Sequence, residues 1–239
     1  ISLPNRFSEQ VQFLDRHPQC ALLGSWADIV LENLPTNRYL RHPQSNGEIQ
    51  VKLPFFNCFV HSSVMIRKSA LEISGLYPEE KEKFPPEDYD LWLRIAKDFE
   101  VANLSQTLLL YRELPNSISR AKLQLMQERA RGMSLIRLKD MLGNVVDDEV
   151  YDSLIKAMTN EAFFAPQNWK STHLSLLKEI RDQQLIRFPK EHDAIQKGFE
   201  DCQKLLSLAY QKLAAQNLAK YLPFNIVPIL KKIKNICLR

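Results

Sequence analysis

The sequence predicts an α/β segment followed by an all-α helical C-terminal region. Three observations carry that expectation. Up to Pro115, short apolar runs of strand character alternate with stretches of helical spacing, the pattern of strands packed against helices. Beyond Pro115 the text turns rich in Leu, Lys, Gln, Ala and Glu, good helix formers, and residues 118–239 hold only three glycines, Gly132, Gly143 and Gly198. The charge shifts at the same place: residues 1–115 carry 12 Lys/Arg against 15 Asp/Glu, the remainder 20 against 13. Two domains are expected, 1–117 and 118–239.

The elements follow in order. Phe7, Val11 and Leu14 stand at helical spacing in residues 7–16, and Pro18 stops the run. Cys20–Gly24 and Ala27–Leu31 read as strand, with Gly24 a bulge or a close approach. Residues 32–47, polar and broken by Pro35, Pro43 and Gly47, read as loop. A short helix covers Gly47–Leu53. Phe59–Ile66 reads as the next strand, followed by a helical turn at Lys68–Ile73 that Gly75 ends. After an acidic, proline-containing loop at 77–86, Pro85-Pro86 open a helix over Glu87–Lys97. Glu100–Leu104 and Thr107–Arg112 read as strands. Helices are expected at 118–142, 147–160, 171–186, 192–218 and 224–237.

Composition narrows the class. A chain of 239 residues that is 45% hydrophobic and 25% charged is neither disordered nor collagen-like, and it is long enough to bury a core. Its apolar runs, such as Leu108-Leu109-Leu110, fall far short of the ~20 residues of a membrane span. Cys20, Cys58, Cys202 and Cys237 show no C-x-x-C spacing, which argues against a zinc site and fits free thiols in a reducing compartment, so a cytoplasmic location is expected. No residue is proposed as a metal ligand. The opening ISLPNRF reads as mid-phrase, with no basic start leading into an apolar run, and a partial chain is expected.

The segment richest in chemistry is PPEDYDLWLR, residues 85–94. Proline at the first helical positions makes Glu87, Asp88 and Asp90 first-turn residues, beside unpaired backbone N–H groups and the positive end of the helix dipole. That setting favours an ionised carboxylate on a rigid element, a fitting general base for an alcohol. The same spacing fits a plain helix cap. Leu91, Trp92 and Ile95 anchor the helix, and Asp90 and Arg94 are i,i+4 partners.

Four segments together resemble family 2 glycosyltransferases. EDYDLWLRI resembles that family's "ED" motif region. HSSVMIRKSALEISGLYPE is similar to the segment before it, FEVANLSQTLLLYRELPNSIS to the closing strands, and RFSEQVQFLDRHPQCALLGSWADIV to the helix and strand after the metal site. They stand in family order and span about residues 1–119. The resemblance implies part of a GT-A sheet with flanking helices, and an inverting transfer from a nucleotide-diphosphate sugar to a saccharide or lipid-linked acceptor. It implies Asp88 as catalytic base with Glu87 beside it, and His61, Ser62, Trp92, Arg67 and Arg112 near substrate. It also implies a divalent cation, Mg²⁺ or Mn²⁺, held by an Asp-x-Asp motif that these residues lack. The chain therefore resembles an acceptor-side half, inactive alone, whose sheet would show an open edge.

Other readings stand beside this one. His61-Ser62-Ser63 with Asp88 invites a hydrolase triad, but no G-x-S-x-G elbow is present. Arg67-Lys68 could hold phosphate or be solvated, and Trp26 could line a cleft or pack. From Lys220 onward, Lys220, Lys231, Lys232, Lys234 and Arg239 meet no acidic residue, and Ile226, Ile229, Leu230, Ile233 and Ile236 share a helical stripe. A basic amphipathic helix over 220–239 can lie on an anionic membrane surface or pack on its own domain. The alternative function is thus a non-catalytic helical module that recruits a partner or a membrane. No nucleic-acid partner is expected, since aromatic RNA-binding motifs, zinc-finger spacing and Gly-rich phosphate loops are lacking.

Overall fold

A computed structural model of the chain describes residues 1–31, 34–78, 86–114, 122–166 and 168–219, the side chains of 218 and 219 excepted. Helix α1 (Arg6–Arg16) leads into the long strand β1 (Cys20–Leu31), β2 (Leu34–Leu40) and a short helix α2 (Asn46–Lys52). A 3₁₀ turn at His61–Ser63 precedes the two-residue strand β3 (Met65–Ile66) and α3 (Lys68–Ser74). Then come α4 (Glu87–Asp98) and β4 (Glu100–Glu113). The helical region holds α5 (Leu123–Leu142), α6 (Asp148–Met158), α7 (Trp169–Arg187) and α8 (His192–Ala219). The segment 220–239 and the expected domain boundary lie outside the described residues. No helix among the described residues is long and apolar enough to cross a membrane.

The sheet is mixed and small. β1 is its spine: β4 runs parallel along one side, while β3 and β2 pair antiparallel with opposite ends of the other side. The two pairs of strands expected at 20–31 and 100–113 are each one continuous strand, with register shifts on either side of Trp26 where the expected breaks fell. Gly24 is a close approach, as expected: a Cβ there would collide with the Asn103 side-chain oxygen and lie 3.0 Å from the Phe59 ring. The outer edge of β4 is engaged in part, while the outer edge of β2 stays unpaired among the described residues. Leu3 and Leu110 exchange backbone bonds with Leu108 and Ile1, and the Val101 and Asn103 N–H groups donate to Asn46 and Gln44.

Two further expectations differ. Residues 34–40, read as loop, form the edge strand β2; their burial pattern is almost wholly exposed, so no apolar alternation marks them. Phe59–Ile66, read as one strand, is broken at His61–Ser63. Arg6 and Gln10 of α1 reach across to the carbonyls of Ser62 (2.6 Å) and Ser63 (2.8 Å). The Ser63 hydroxyl donates to Val60 O and accepts from the Ser25 N–H at 3.0 Å. These tertiary bonds explain why α1 buries Arg6, Gln10 and Leu14, while Phe7 and Val11 stay exposed.

Two main cores result. Leu22, Ile49, Leu53, Phe59, Trp92, Ile95 and Val101 fill the space between the sheet and helices α2 and α4. Leu138, Tyr151, Leu154, Leu177, Ile180, Ile195 and Phe199 form the helical core, and Val51 and Phe55 from the first part belong to it. Glu48 and Lys52 of α2 pair with Lys197 and Asp201 of α8, at 3.2 and 2.7 Å.

Candidate functional site

The site begins with the helix start that the sequence singled out. Pro86 stands at the N-cap of α4 in extended conformation, and Glu87, Asp88 and Asp90 occupy the first turn. The inward face of α4 carries Tyr89, Trp92 and Ile95, all buried in the sheet-side core. Two side chains fix the height of this helix. The Tyr89 hydroxyl donates to Leu53 O at 2.7 Å and bonds Ser134 Oγ of α5 at 3.1 Å. Arg94 pairs with Asp90 at 2.9 Å and donates to the carbonyls of Ser74 and Leu76, which ties α4 to the end of α3.

This clamp sets Asp88 at the surface end of the core, with its side chain 15% exposed. One carboxylate oxygen accepts from its neighbour's backbone N–H, Tyr89, at 2.8 Å. The other accepts from Asn57 Nδ2 at 3.1 Å and faces His61 Nδ1 at 3.7 Å. Burial pushes the Asp88 carboxyl above its ordinary value, and Glu87 adds to the push. His61 and the bonds from Tyr89 and Asn57 pull the other way without cancelling it.

His61 is half exposed, and its other ring nitrogen lies 2.9 Å from the Tyr77 hydroxyl. The His61 and Tyr77 rings stand edge-on to Trp92, at 5.8 and 6.4 Å. Burial and the carboxylates of Asp88 and Glu87 raise the Tyr77 phenol. The arrangement thus brings a largely buried carboxylate, an imidazole and a phenol together at the protein surface. It can accept a proton from a hydroxyl and orient the group that loses it.

The sequence-predicted residues separate into two groups. Asp88, Glu87, His61 and Ser62 lie in this cluster or next to it in the chain, with Ser62 exposed beside His61. Trp92 belongs to the floor: it is fully buried beneath His61 and Tyr77. Arg67 is occupied elsewhere, donating to the backbone carbonyls of Cys20 (2.9 Å), Leu14 (2.5 Å) and His17 (3.4 Å). Arg112 sits exposed near the end of β4, paired in register with Val30 of β1. Trp26 donates to His42 O at 2.9 Å, with Arg41 over its ring. Sequence reasoning missed Asn57 and Tyr77. Tyr77 lies within the HSSVMIRKSALEISGLYPE segment and Asn57 four residues before it, but neither falls on a periodic element.

The resemblance implies a divalent cation, and the described residues do not fit one. No three His, Cys, Asp or Glu side chains come together among them as a metal-holding group.

No family model matches the chain. Among curated proteins it is similar to the amylovoran biosynthesis glycosyltransferase AmsE of Erwinia amylovora, 35% identical over 113 residues, 47% of this chain and 41% of that protein. The O-antigen biosynthesis glycosyltransferase WbnJ of Escherichia coli is 34% identical over 115 residues, 47% of this chain and 43% of its own length. An uncharacterized glycosyltransferase of Haemophilus influenzae is 28% identical over 145 residues, covering 60% and 52% of the two chains. The chain thus spans about half the length of the curated relatives it matches, and over that span it is similar to glycosyltransferases.

Proposed function

We propose that this chain is the acceptor-side part of an inverting family 2 glycosyltransferase with the GT-A fold, and that Asp88 is its general base. The observation that carries the reading is the Asp88 carboxylate. It is rigidly held at a helix start, bonded by Asn57, faced by His61 and still open to solvent. The similarity to glycosyltransferases supports it, and the relatives named for amylovoran and O-antigen biosynthesis support a polysaccharide product.

The chemistry follows from the site. An acceptor hydroxyl at this cluster gives its proton to Asp88, and its oxygen attacks the anomeric carbon of a nucleotide-diphosphate sugar. The bond from that carbon to the diphosphate oxygen breaks, its electrons leave with the diphosphate, and the anomeric centre inverts. Burial makes Asp88 a stronger base than an exposed aspartate. The Asn57 and Tyr89 bonds and the His61 ring keep the ionised form accessible. Glu87 adds negative charge beside it, and His61 and Tyr77 border the space the acceptor enters.

The test is turnover of a nucleotide-diphosphate sugar by the complete protein and its Asp88→Asn variant. Expected is a fall in kcat of about 10²–10⁴-fold with donor affinity nearly unchanged. Equal loss of both would make Asp88 a structural residue.

A further inference from the structure

Asn57 has a second neighbour. It also lines an open cavity of 490 Å³ between the Phe56–Cys58 turn, the His42–Pro43 loop and helix α8. Helix α8 contributes Asp201, Lys204 and Leu205 to that wall. We propose that this cavity binds a saccharide ring of the acceptor, beyond the sugar whose hydroxyl meets Asp88, so that α8 sets acceptor preference. This rests on the glycosyltransferase reading above.

Three observations lead there. The first is continuity: Asn57, which lines the cavity, also donates from Nδ2 to Asp88 Oδ2 at 3.1 Å, so one residue joins the cavity wall to the carboxylate. The second is lining chemistry. Phe56, Pro43 and Leu205 give apolar surface, with Leu205 39% exposed, and Lys52, Asp201 and Lys204 give polar groups. A pyranose matches this mixture, with a C–H face for the apolar side and a ring of hydroxyls for the polar groups. The volume falls within the ~300–1,000 Å³ typical of small-molecule sites.

The third is charge, which is largely paired within the wall. Lys52 is held between Glu48 at 2.8 Å and Asp201 at 2.7 Å, and Lys204 lies 3.7 Å from Asp201. Partial burial raises the Asp201 carboxyl, but Lys52, Lys204 and Lys197 outweigh it and hold it below its ordinary value. It stays ionised and paired with these lysines, so opposite charges offset one another along the wall. A neutral polyhydroxylated ligand can bond to these paired groups without bringing a charge of its own. The Lys52 bridge also fixes α8 against α2, so the wall is preformed.

The full chain, labelled for amide NMR, is titrated with the methyl glycosides of glucose, galactose and N-acetylglucosamine. Expected are saturable shifts at Asn57, Lys204 and Leu205 below about 100 mM, weakened at least about tenfold in Leu205→Trp, which fills the cavity. No saturable shift with any of the three, shifts confined to other surfaces, or binding unmoved by Leu205→Trp overturns the subsite. The two readings fail separately: lost turnover in Asp88→Asn without glycoside binding removes the subsite alone. Glycoside binding at the cavity with undiminished turnover in Asp88→Asn removes the catalytic reading.

Discussion

Asp88 shows how burial and function oppose each other in one side chain. Its folded-state affinity for a proton is raised above the ordinary value of 3.8, chiefly by burial. A carboxyl shifted in that direction adds stability below pH 3.8, and the contribution is lost as pH rises through the folded value. At neutral pH the ionised Asp88 therefore destabilises the fold. Asp88→Asn should raise the thermal midpoint at pH 7 while activity falls, and the gain over the parent should vanish as pH drops toward 3, where the parent carboxyl is protonated too. Thermal melts from pH 3 to 8 check this, and an Asn variant less stable than the parent at pH 7 would contradict it. Of the site's residues, Asp88 was legible because two prolines before an acidic turn define a helix start in local text. Asn57 and Tyr77 were not, because loop side chains reach Asp88 and His61 through tertiary folding that no spacing encodes.

Among the elements, those with strong local signals matched the text. The helices α1, α2, α3 and α4 start and stop within a residue or two of their proline, glycine and periodic markers. The strand read at 59–66 failed because its apolar residues bracket a turn that Arg6, Gln10 and Ser25 hold from other elements. β2 escaped because an exposed edge strand needs backbone pairing with β1 rather than an apolar face. Arg67 gives the clearest test at this scale. Its guanidinium gathers three carbonyls from the end of α1 and the start of β1, just before α3 begins, so it splices three elements. Arg67→Ala should therefore cost about 2–3 kcal/mol of stability, read as a lower urea midpoint. Donor and acceptor KM of the folded fraction should stay as they were. Unchanged stability with a raised donor KM would instead return Arg67 to the substrate.

Across the whole molecule, the shift in glycine content and charge after Pro115 points to two parts, yet one short helix ties them together. α2 is only seven residues long, and Ile49 and Val51 lie two apart, about 200° around its axis. Ile49 enters the sheet-side core and Val51 the helical core, so α2 is packed on both sides. No single-face pattern could announce that in sequence. Phe55 follows Val51 into the helical core, Tyr89 of the site helix bonds Ser134 of α5, and Lys52 bridges to Asp201 of α8. A core shared in this way makes unfolding of either part expose apolar surface on the other, which favours one cooperative transition. Hydrogen exchange followed through urea should give one midpoint for the amides of β1 and α4 and for those of α7 and α8. Phe55→Ala, which removes a buried ring from the seam at about 3–5 kcal/mol, should lower both sets together. Midpoints separated by more than about 1 M urea, or a Phe55→Ala effect confined to α6–α8, would show that the sheet and the helices fold as independent units.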